Sequence, residues 1–242
     1  MSIFGDLNLG GEGVKTQEDR VTDAGGKYIS ETGKYDVIVK KAYMDISTSG
    51  ALCFNMTVQT EDEKEMSITE YISNAKKEVF YTDKKDGTKK YMPSYVRMKN
   101  VDFLLTKKLQ ETPRTEKKLI KVWNTEARKE VPTEKDMLVE WVGKPLTILV
   151  TKTKEFKQTK NADGVYVDTD EVRTLAVVDF YVDAVTNKTQ NEISGNQEPL
   201  ICTKWLEKHP SDFVRDRTNG KGKAATPSGA PAPAPTADEI FG

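Results

Sequence analysis

The sequence contains very few of the residues on which most enzymes and metal sites depend. It has one histidine, His209, and two cysteines, Cys53 and Cys202, in 242 residues. Two cysteines cannot form a disulfide framework or a four-cysteine zinc site, and they favour a reducing compartment. One histidine leaves little room for a Ser-His-Asp triad or a multi-histidine metal centre. We therefore expect a protein that binds rather than catalyses, with no metal and no cofactor, and with His209 exposed near a helix end.

Long apolar stretches are also missing. No run approaches the roughly 18 apolar residues that a membrane-spanning helix needs, and the mean hydropathy is −0.62. The first six residues have neither the basic nor the apolar region of a secretory signal. The sequence therefore predicts no membrane association and a cytoplasmic location.

The net charge of −1 conceals a strong segregation along the chain. Residues 76–121 carry 14 Lys and Arg against six Asp and Glu, a local charge of +8. Residues 144–160 carry five Lys against one Glu, or +4. Two basic segments on one face would form the footprint of a polyanion binder. Lysine-rich hairpins that are merely solvated would give the same pattern.

Hydrophobic periodicity predicts a mainly β fold. Residues 33–44, 52–58 and 66–72 alternate in the manner of strands and form an antiparallel meander. Ser94 is expected to cap a helix that runs to about Leu109, and a short helix is expected at 199–208. Further strands are predicted at 119–123, 137–142, 146–151 and 173–182. A helix between the third and fourth strands indicates an OB-fold-like Greek-key barrel with extra hairpins. An SH3-like barrel or a small sandwich would leave a similar trace.

Composition divides the chain into three parts. Residues 1–32 are rich in Gly, Asp and Glu and are expected to be weakly structured. Residues 33–213 form the predicted barrel domain. Residues 214–242 are expected to be a disordered Pro/Ala-rich linker, because Ala and Pro alternate over 230–235. The linker ends in Asp238, Glu239, Ile240 and Phe241, which resemble a peptide displayed to a protein partner; a frayed end is the other interpretation.

Aromatic residues alternate with cations over residues 71–97. Single-stranded nucleic acid offers a charged backbone and unstacked base faces, and proteins bind it with a basic groove lined by aromatic rings. The candidate nucleic-acid-binding residues share one of these two chemistries: Tyr71, Lys76, Lys77, Phe80, Tyr81, Lys84, Lys85, Lys89, Lys90, Tyr91, Tyr95, Arg97, Lys152, Lys154, Phe156 and Lys157. Trp123 is a further candidate platform, whereas Trp141 is expected in the core.

Signals for catalysis are weak. The carboxylates Asp163, Asp168, Asp170 and Glu171 lack EF-hand spacing, so a solvated hairpin is the preferred interpretation. There is no P-loop and no GxGxxG motif. A nuclease would need carboxylates that converge on a divalent metal.

Several motifs resemble those of bacteriophage single-stranded DNA-binding proteins. The runs 71–83 and 86–95 are similar to that family in their Asn-x-Lys, Phe-Tyr, Lys-rich hairpin and Tyr-x-Pro pattern. The stretches 2–9, 122–132 and 141–146 look similar too, as does the Phe-Gly end. The resemblance covers most of residues 1–185.

This resemblance implies an OB-fold protein that coats single-stranded DNA during replication, recombination and repair in the cytoplasm of an infected bacterial host. It also implies that residues 238–241 recruit replication or recombination proteins. The tip departs from the family pattern, since it has few carboxylates and ends in Gly242. An adaptor without nucleic-acid affinity, which displays its C-terminal peptide to a partner, remains the alternative.

Overall fold

The computed structural model describes residues 28–109, 112–124, 127–161 and 166–218. These residues are mainly β. The strands are β1 Gly33–Ile46, β2 Leu52–Gln59, β3 Glu65–Tyr71, β4 Phe80–Thr82, β5 Lys89–Tyr91, β6 Glu116–Asn124, β7 Lys129–Met137, β8 Pro145–Lys160, β9 Tyr166–Val182 and β10 Val214–Asp216. The helices are α1 Pro93–Thr106, α2 Gln190–Ser194 and α3 Leu200–Lys208. The predicted N-terminal segment up to residue 27 and the C-terminal linker from residue 219 lie outside the described residues.

The main sheet has the strand order β3–β2–β1–β8–β9, and all of these neighbours are antiparallel. The predicted three-strand meander is therefore confirmed as β1, β2 and β3. Among the described residues no ladder joins β3 to β9, so the sheet is not closed. The mainly β class is confirmed, whereas closure into a barrel stays a prediction.

Two long hairpins extend beyond the shared part of the sheet. The β6–β7 arm pairs over nine residue pairs and joins the sheet where β7 meets Tyr43 and Met44 of β1. The β8–β9 hairpin pairs along nearly its whole length, with irregular register after Leu149 and after Phe156. β10 runs parallel to β8 at residues 152–154. Parts of both hairpins therefore project beyond the main sheet, together with the side chains that they carry.

The core lies between one face of the sheet and helix α1. Because successive side chains of a strand point to opposite faces, Phe54, Met56 and Val58 of β2 all enter the core. Trp141 is also buried, as predicted, and its Nε1 donates a hydrogen bond of 2.8 Å to Oδ1 of Asp102 on α1. Its ring meets Phe54 edge-on, with centroids 5.6 Å apart. Trp141 thus connects the helix to the sheet.

The prediction of a strand over residues 137–142 is wrong. β7 ends at Met137, and residues 138–144 form tight turns in which the amide of Trp141 donates to the carbonyl of Leu138. Gly143, with a φ of 77°, donates to the carbonyl of Val39 and returns the chain to β1. The apolar run reflects burial of Leu138 and Trp141 within a turn, which periodicity alone does not distinguish from a buried strand.

Helix α1 begins and ends differently from the prediction. Ser94 does not cap it, because Met92 is the N-cap residue and Pro93 fills the first helical turn. The Ser94 hydroxyl instead donates to the carbonyl of Tyr71 and joins the helix to the end of β3. The helix ends at Thr106, because Lys107 adopts the left-handed conformation, with a φ of 59°.

The expectation of an exposed His209 is wrong, although the predicted short helix is confirmed as α3. His209 follows the last residue of α3 and is 7% exposed. Its ring stacks on Trp205 at 4.6 Å and meets the edge of Phe213. The Asp179 carboxylate, on β9, accepts hydrogen bonds from Trp205 and Arg215, so these bonds hold α3 and β10 against the sheet.

We predict that Trp141→Phe lowers the free energy of unfolding by about 1–3 kcal/mol, because the Asp102 carboxylate loses a buried hydrogen-bond donor. Urea denaturation measures this change. Trp123→Phe is the matched control, since Trp123 is 64% exposed and its replacement should change stability by less than about 0.5 kcal/mol. Equal effects of the two substitutions would contradict the assigned role of Trp141.

The ionisation of Asp183 links the stability of the fold to acid pH. Burial alone raises the pKa of Asp183, but hydrogen bonds from Lys107 and Thr186 together outweigh burial and lower that pKa to about 2. A lowered carboxyl pKa in the folded state stabilises the fold above the unfolded value of 3.8, and this contribution is lost as the pH falls towards 2.

Asp183→Asn should therefore reduce stability at pH 7, and the difference from the wild type should shrink between about pH 4 and pH 2. Urea midpoints measured over that range provide the readout. Asp212→Asn, which removes an exposed carboxylate, is the control. A difference for Asp183→Asn that is the same at pH 7 and pH 2 would rule out this linkage.

Candidate nucleic-acid interface

The β4–β5 hairpin brings together the central part of the predicted site. Phe80 pairs with Tyr91, and Tyr81 pairs with Lys90, so the aromatic and basic residues of the two short strands become neighbours. Tyr81 is 45% exposed and Tyr91 is 63% exposed. The ring of Tyr91 lies 5.3 Å from that of Tyr95 on α1. Two exposed tyrosines on one small hairpin are available to stack on bases.

The lysines of this hairpin differ in whether a nearby carboxylate neutralises their charge. Lys90 Nζ lies 2.6 Å from Asp83 and 3.5 Å from Asp86, and the hydrogen bond with Lys90 lowers the pKa of Asp83. Lys89 Nζ lies 4.6 Å from the centroid of the Phe80 ring. Lys84 and Lys85 are exposed in the connecting turn and form no ion pair with the described residues. The turn therefore presents the uncompensated positive charge.

The turn after β3 carries the next predicted residues. Asn74 Oδ1 accepts hydrogen bonds from the amides of Lys76 and Glu78, each 2.9 Å long, and this arrangement exposes Lys76 and Lys77. Gly50 of the β1–β2 loop lies against this turn. It has a φ of 89°, and a Cβ there would lie 3.3 Å from the carbonyl oxygen of Ala75. The two loops therefore meet at one end of the meander.

The other predicted residues are not part of this cluster. Arg97 contacts Glu70 at 2.7 Å, and both side chains are largely buried. Burial raises the pKa of Glu70, and the charge of Arg97 partly opposes that rise. On β8, Lys152 binds Glu31 at 2.9 Å. Arg97 and Lys152 are thus already neutralised by carboxylates.

The other predicted residues of β8 differ in their exposure and in their ion pairs. Lys157 binds Glu171 at 2.7 Å, whereas Lys154 is exposed and Phe156 is half-buried. Tyr71 is half-buried at the end of β3, where burial raises the pKa of its hydroxyl. The four tip residues, Asp238, Glu239, Ile240 and Phe241, lie outside the described residues.

A groove that the sequence did not predict crosses the face of the meander opposite the core. It has a volume of about 600 Å³, and we call it the sheet groove. Its floor consists of side chains from β1–β3, and its wall is the β6–β7 arm. The lining residues are Lys40, Lys41, Tyr43, Asn55, Met56, Thr57, Glu65, Ser67, Ile68, Thr69, Ile120, Val122, Trp123, Glu130 and Met137.

The sheet groove combines a polar floor with an aromatic wall. Thr69 donates a 2.7 Å hydrogen bond to Asn55 across the floor. Lys41 Nζ donates to the backbone carbonyl of Lys121 at 3.1 Å, which fastens the arm over the sheet. Trp123, on the arm, remains 64% exposed. The polar alternate positions of 52–58 and 66–72 were the sequence signal for this floor, but nothing local predicted the position of the arm.

The described part of the chain has neither a cluster of metal-ligating residues nor a helix that could span a membrane. No group of three or more His, Cys, Asp or Glu residues there is arranged to hold a metal ion. Of the carboxylates interpreted as a solvated hairpin, Asp163 lies outside the described residues, Asp168 accepts a hydrogen bond from Gln158, and Glu171 is paired with Lys157. No described helix is both long and apolar enough to cross a membrane.

Comparisons with protein-family models and with curated proteins give no match for this chain. The geometry of the hairpin and of the sheet groove is therefore the basis for any functional proposal.

We predict that Tyr81→Ala leaves the fold intact and lowers the free energy of unfolding by less than about 1 kcal/mol, because the ring is 45% exposed. Thermal or urea unfolding measures the change. Phe54→Ala is the reference, since loss of a fully buried ring should cost about 3–5 kcal/mol. A loss for Tyr81→Ala as large as that for Phe54→Ala would make Tyr81 a core residue.

Proposed function

We propose that the protein binds single-stranded DNA without sequence specificity, and that it coats and protects the strand during phage replication, recombination and repair. The observation that carries the proposal is the set of exposed rings beside lysines on two projecting hairpins. These rings are Tyr81 and Tyr91 on the β4–β5 hairpin and Trp123 on the β6–β7 arm. Rings for stacking and cations for phosphates are the two parts of a single-strand binding surface.

The proposed path of the strand follows the sheet groove towards the basic turns. Tyr43 and Trp123 line the groove, and Lys40 and Lys41 stand at its side. Tyr71 has the same strand parity as Ser67 and Thr69, so it extends the floor towards Lys76. From there the chain leads directly to the β4–β5 hairpin. Stacking on rings suits a single strand, because the base faces of a duplex are already occupied.

The strand order supports an OB-fold interpretation as part of this proposal. An OB-fold is a partly open five-stranded Greek-key barrel, with a helix after its third strand, that binds oligonucleotides on the face of its second and third strands. Here β3–β2–β1–β8–β9 would be the five barrel strands, and α1 follows β3. The sheet groove lies on the face formed by β1–β3, where such a fold would bind its ligand.

The mechanism requires no chemistry on the DNA. Lysines replace the counterions of the phosphates, and each replaced counterion makes affinity more sensitive to salt. The rings add a contribution of about 1–3 kcal/mol per stacked base, whatever the base is. In this proposal the C-terminal residues 238–241 recruit replication or recombination proteins.

Titration of the full chain with poly-dT, followed by tryptophan fluorescence, tests the proposal. We expect the association constant to fall steeply with salt, with a log–log slope near −0.7 per phosphate contact. An affinity that is the same at low and high salt would overturn the electrostatic mechanism. An adaptor without nucleic-acid affinity would show no fluorescence change at any salt concentration.

Trp123→Ala should weaken binding roughly 5- to 100-fold, as expected for the loss of one stacking ring. Leu119→Ala is the matched control, because Leu119 is an exposed apolar residue on the same strand that does not line the groove. Tyr91→Ala tests the hairpin in the same assay. If Leu119→Ala weakens binding as much as Trp123→Ala, the effect comes from the arm as a whole and not from stacking.

A further inference from the structure

The open side of the sheet forms a second concave site, which borders the sheet groove and shares Ser67, Ile68 and Thr69 with it. The edges of β3 at residues 66–70 and of β9 at residues 175–178 line one cavity of about 420 Å³. Arg97, Glu155, Arg173 and Arg217 complete its lining. We call this site the seam. Its volume lies in the range of ordinary ligand sites, and two strand edges border it.

The β3 edge of the seam has unused backbone groups. The carbonyl of Glu65 accepts from the amide of Ile29 at 3.0 Å, and the carbonyl of Tyr71 accepts from Ser94, so both carbonyls point away from β2. In an antiparallel ladder this direction alternates along the strand. The N–H and C=O groups of Ser67 and Thr69 therefore also point away from β2, and they have no backbone partner among the described residues.

The β9 edge of the seam also has backbone groups that point away from its neighbouring strand. The amide of Lys152 donates to Thr32, and the carbonyl of Lys154 accepts from the amide of Arg217, so both groups point away from β9. Their ladder partners on β9, Ala176 and Thr174, consequently direct their own backbone groups away from β8. Exposed strand edges of this kind are templates for the addition of another strand.

A partly buried side chain in the seam has one buried hydrogen-bond donor that no described residue satisfies. Arg97 uses Nη2 to bind Glu70, but its Nε–H is buried without an acceptor among the described residues. A buried donor without a partner costs about 1–3 kcal/mol. A carbonyl or carboxylate brought into the seam by an added strand would satisfy it.

We propose that residues 3–9 of the same chain add to the seam as a β-strand between β3 and β9. The chain enters the described region at Tyr28, which pairs in parallel with Glu65 at the end of the β3 edge. Of the 27 residues before it, the apolar ones concentrate in 3–9, where Ile3, Leu7 and Leu9 share strand parity. Residues 10–27 are long enough to return, since a random-coil chain of 18 residues spans roughly 20–25 Å.

The C-terminal tail also begins near the seam, next to Arg217, but it suits the site less well. Its residues 230–235 alternate Ala and Pro, and proline cannot donate to a ladder. The seam is lined by charged residues and by the apolar side chains of Met66, Ile68, Leu175 and Val177, and this apolar part favours an apolar strand. This inference does not depend on DNA binding, and its test uses no nucleic acid.

Hydrogen exchange on the full-length protein tests the inference with two substitutions of equal charge change. Leu7→Asp should accelerate exchange in peptides from β3 and β9 by about tenfold, because it removes the added strand from the seam. Asn8→Asp should leave that exchange unchanged, because its side chain would face away from the seam interior. Peptides from the β6–β7 arm should be unaffected by either. If Leu7→Asp exchanges as the wild type does, the proposal is wrong.

Photocrosslinking identifies the occupant and the chain from which it comes. With p-benzoylphenylalanine in place of Leu9, we expect crosslinks to β3 or β9 peptides of the same molecule, and none when it replaces Glu12. Mixtures of isotopically labelled and unlabelled chains separate the two cases, and crosslinks only between chains would overturn the assignment. A variant truncated after Thr218 should retain seam protection. If that truncation, and not Leu7→Asp, exposes the seam, the C-terminal tail is the occupant and the proposal fails.

Discussion

The strand β1 hydrogen-bonds to three other strands, and the positions of the core and of the sheet groove depend on its register. It holds β2 along one edge, and β8 and then β7 along the other. A shift of one residue in such a strand would move its whole buried set to the outer face. Because β1 alternates between the core and the sheet groove, the same ladder buries Val37 and Val39 and presents Tyr43 to the groove. The pairing with β2 is irregular between Val39 and Lys41, and at this point the odd-numbered residues of β1 change from the core face to the groove face.

Function and stability occupy opposite faces of the same strands. The inner face of β2 is apolar and buried, and its outer face carries Asn55 and Thr57, which can hydrogen-bond but contribute little to the core. Exposed rings such as Trp123 and Tyr91 contribute little to folding, because they bury only part of their surface. Their position on hairpins held at one end by the sheet makes them accessible without loss of core packing. This separation allows surface variants to probe binding while the fold is preserved.

Local patterns predicted much of the fold, and non-local contacts account for the errors. The alternation of apolar and polar residues in β2 and β3, and the spacing in α1, were sufficient to place those elements. The run around Trp141 was misinterpreted because burial in a turn and burial in a strand give the same apolar signal. His209 was misplaced because its environment comes from Trp205 and Phe213, and sequence adjacency does not reveal that both rings enclose it.

The candidate site likewise has a part formed by local contacts, which the sequence predicted, and a part formed by non-local contacts, which it did not. The β4–β5 hairpin is local, so its aromatic and basic cluster was visible in the sequence. The sheet groove joins residues near 41, 55, 67 and 123, and it exists because Lys41 and the β1–β7 pairing hold the arm over the meander. Arg97 had the right charge for a phosphate contact, but the ion pair with Glu70 gives it a structural partner. Charge patterns along a chain cannot show which cations are already neutralised.

β3 connects the two concave sites. The side chains of Ser67 and Thr69 line the sheet groove, and the backbone groups of the same two residues face the seam. An edge strand paired on one side only is among the less protected parts of a sheet. Pairing on its second side would fix the peptide planes of β3 and, with them, the direction of the polar side chains on the groove floor. Occupation of the seam would thus pre-organise the groove, and a pre-organised surface loses less conformational entropy when a flexible strand of DNA binds to it.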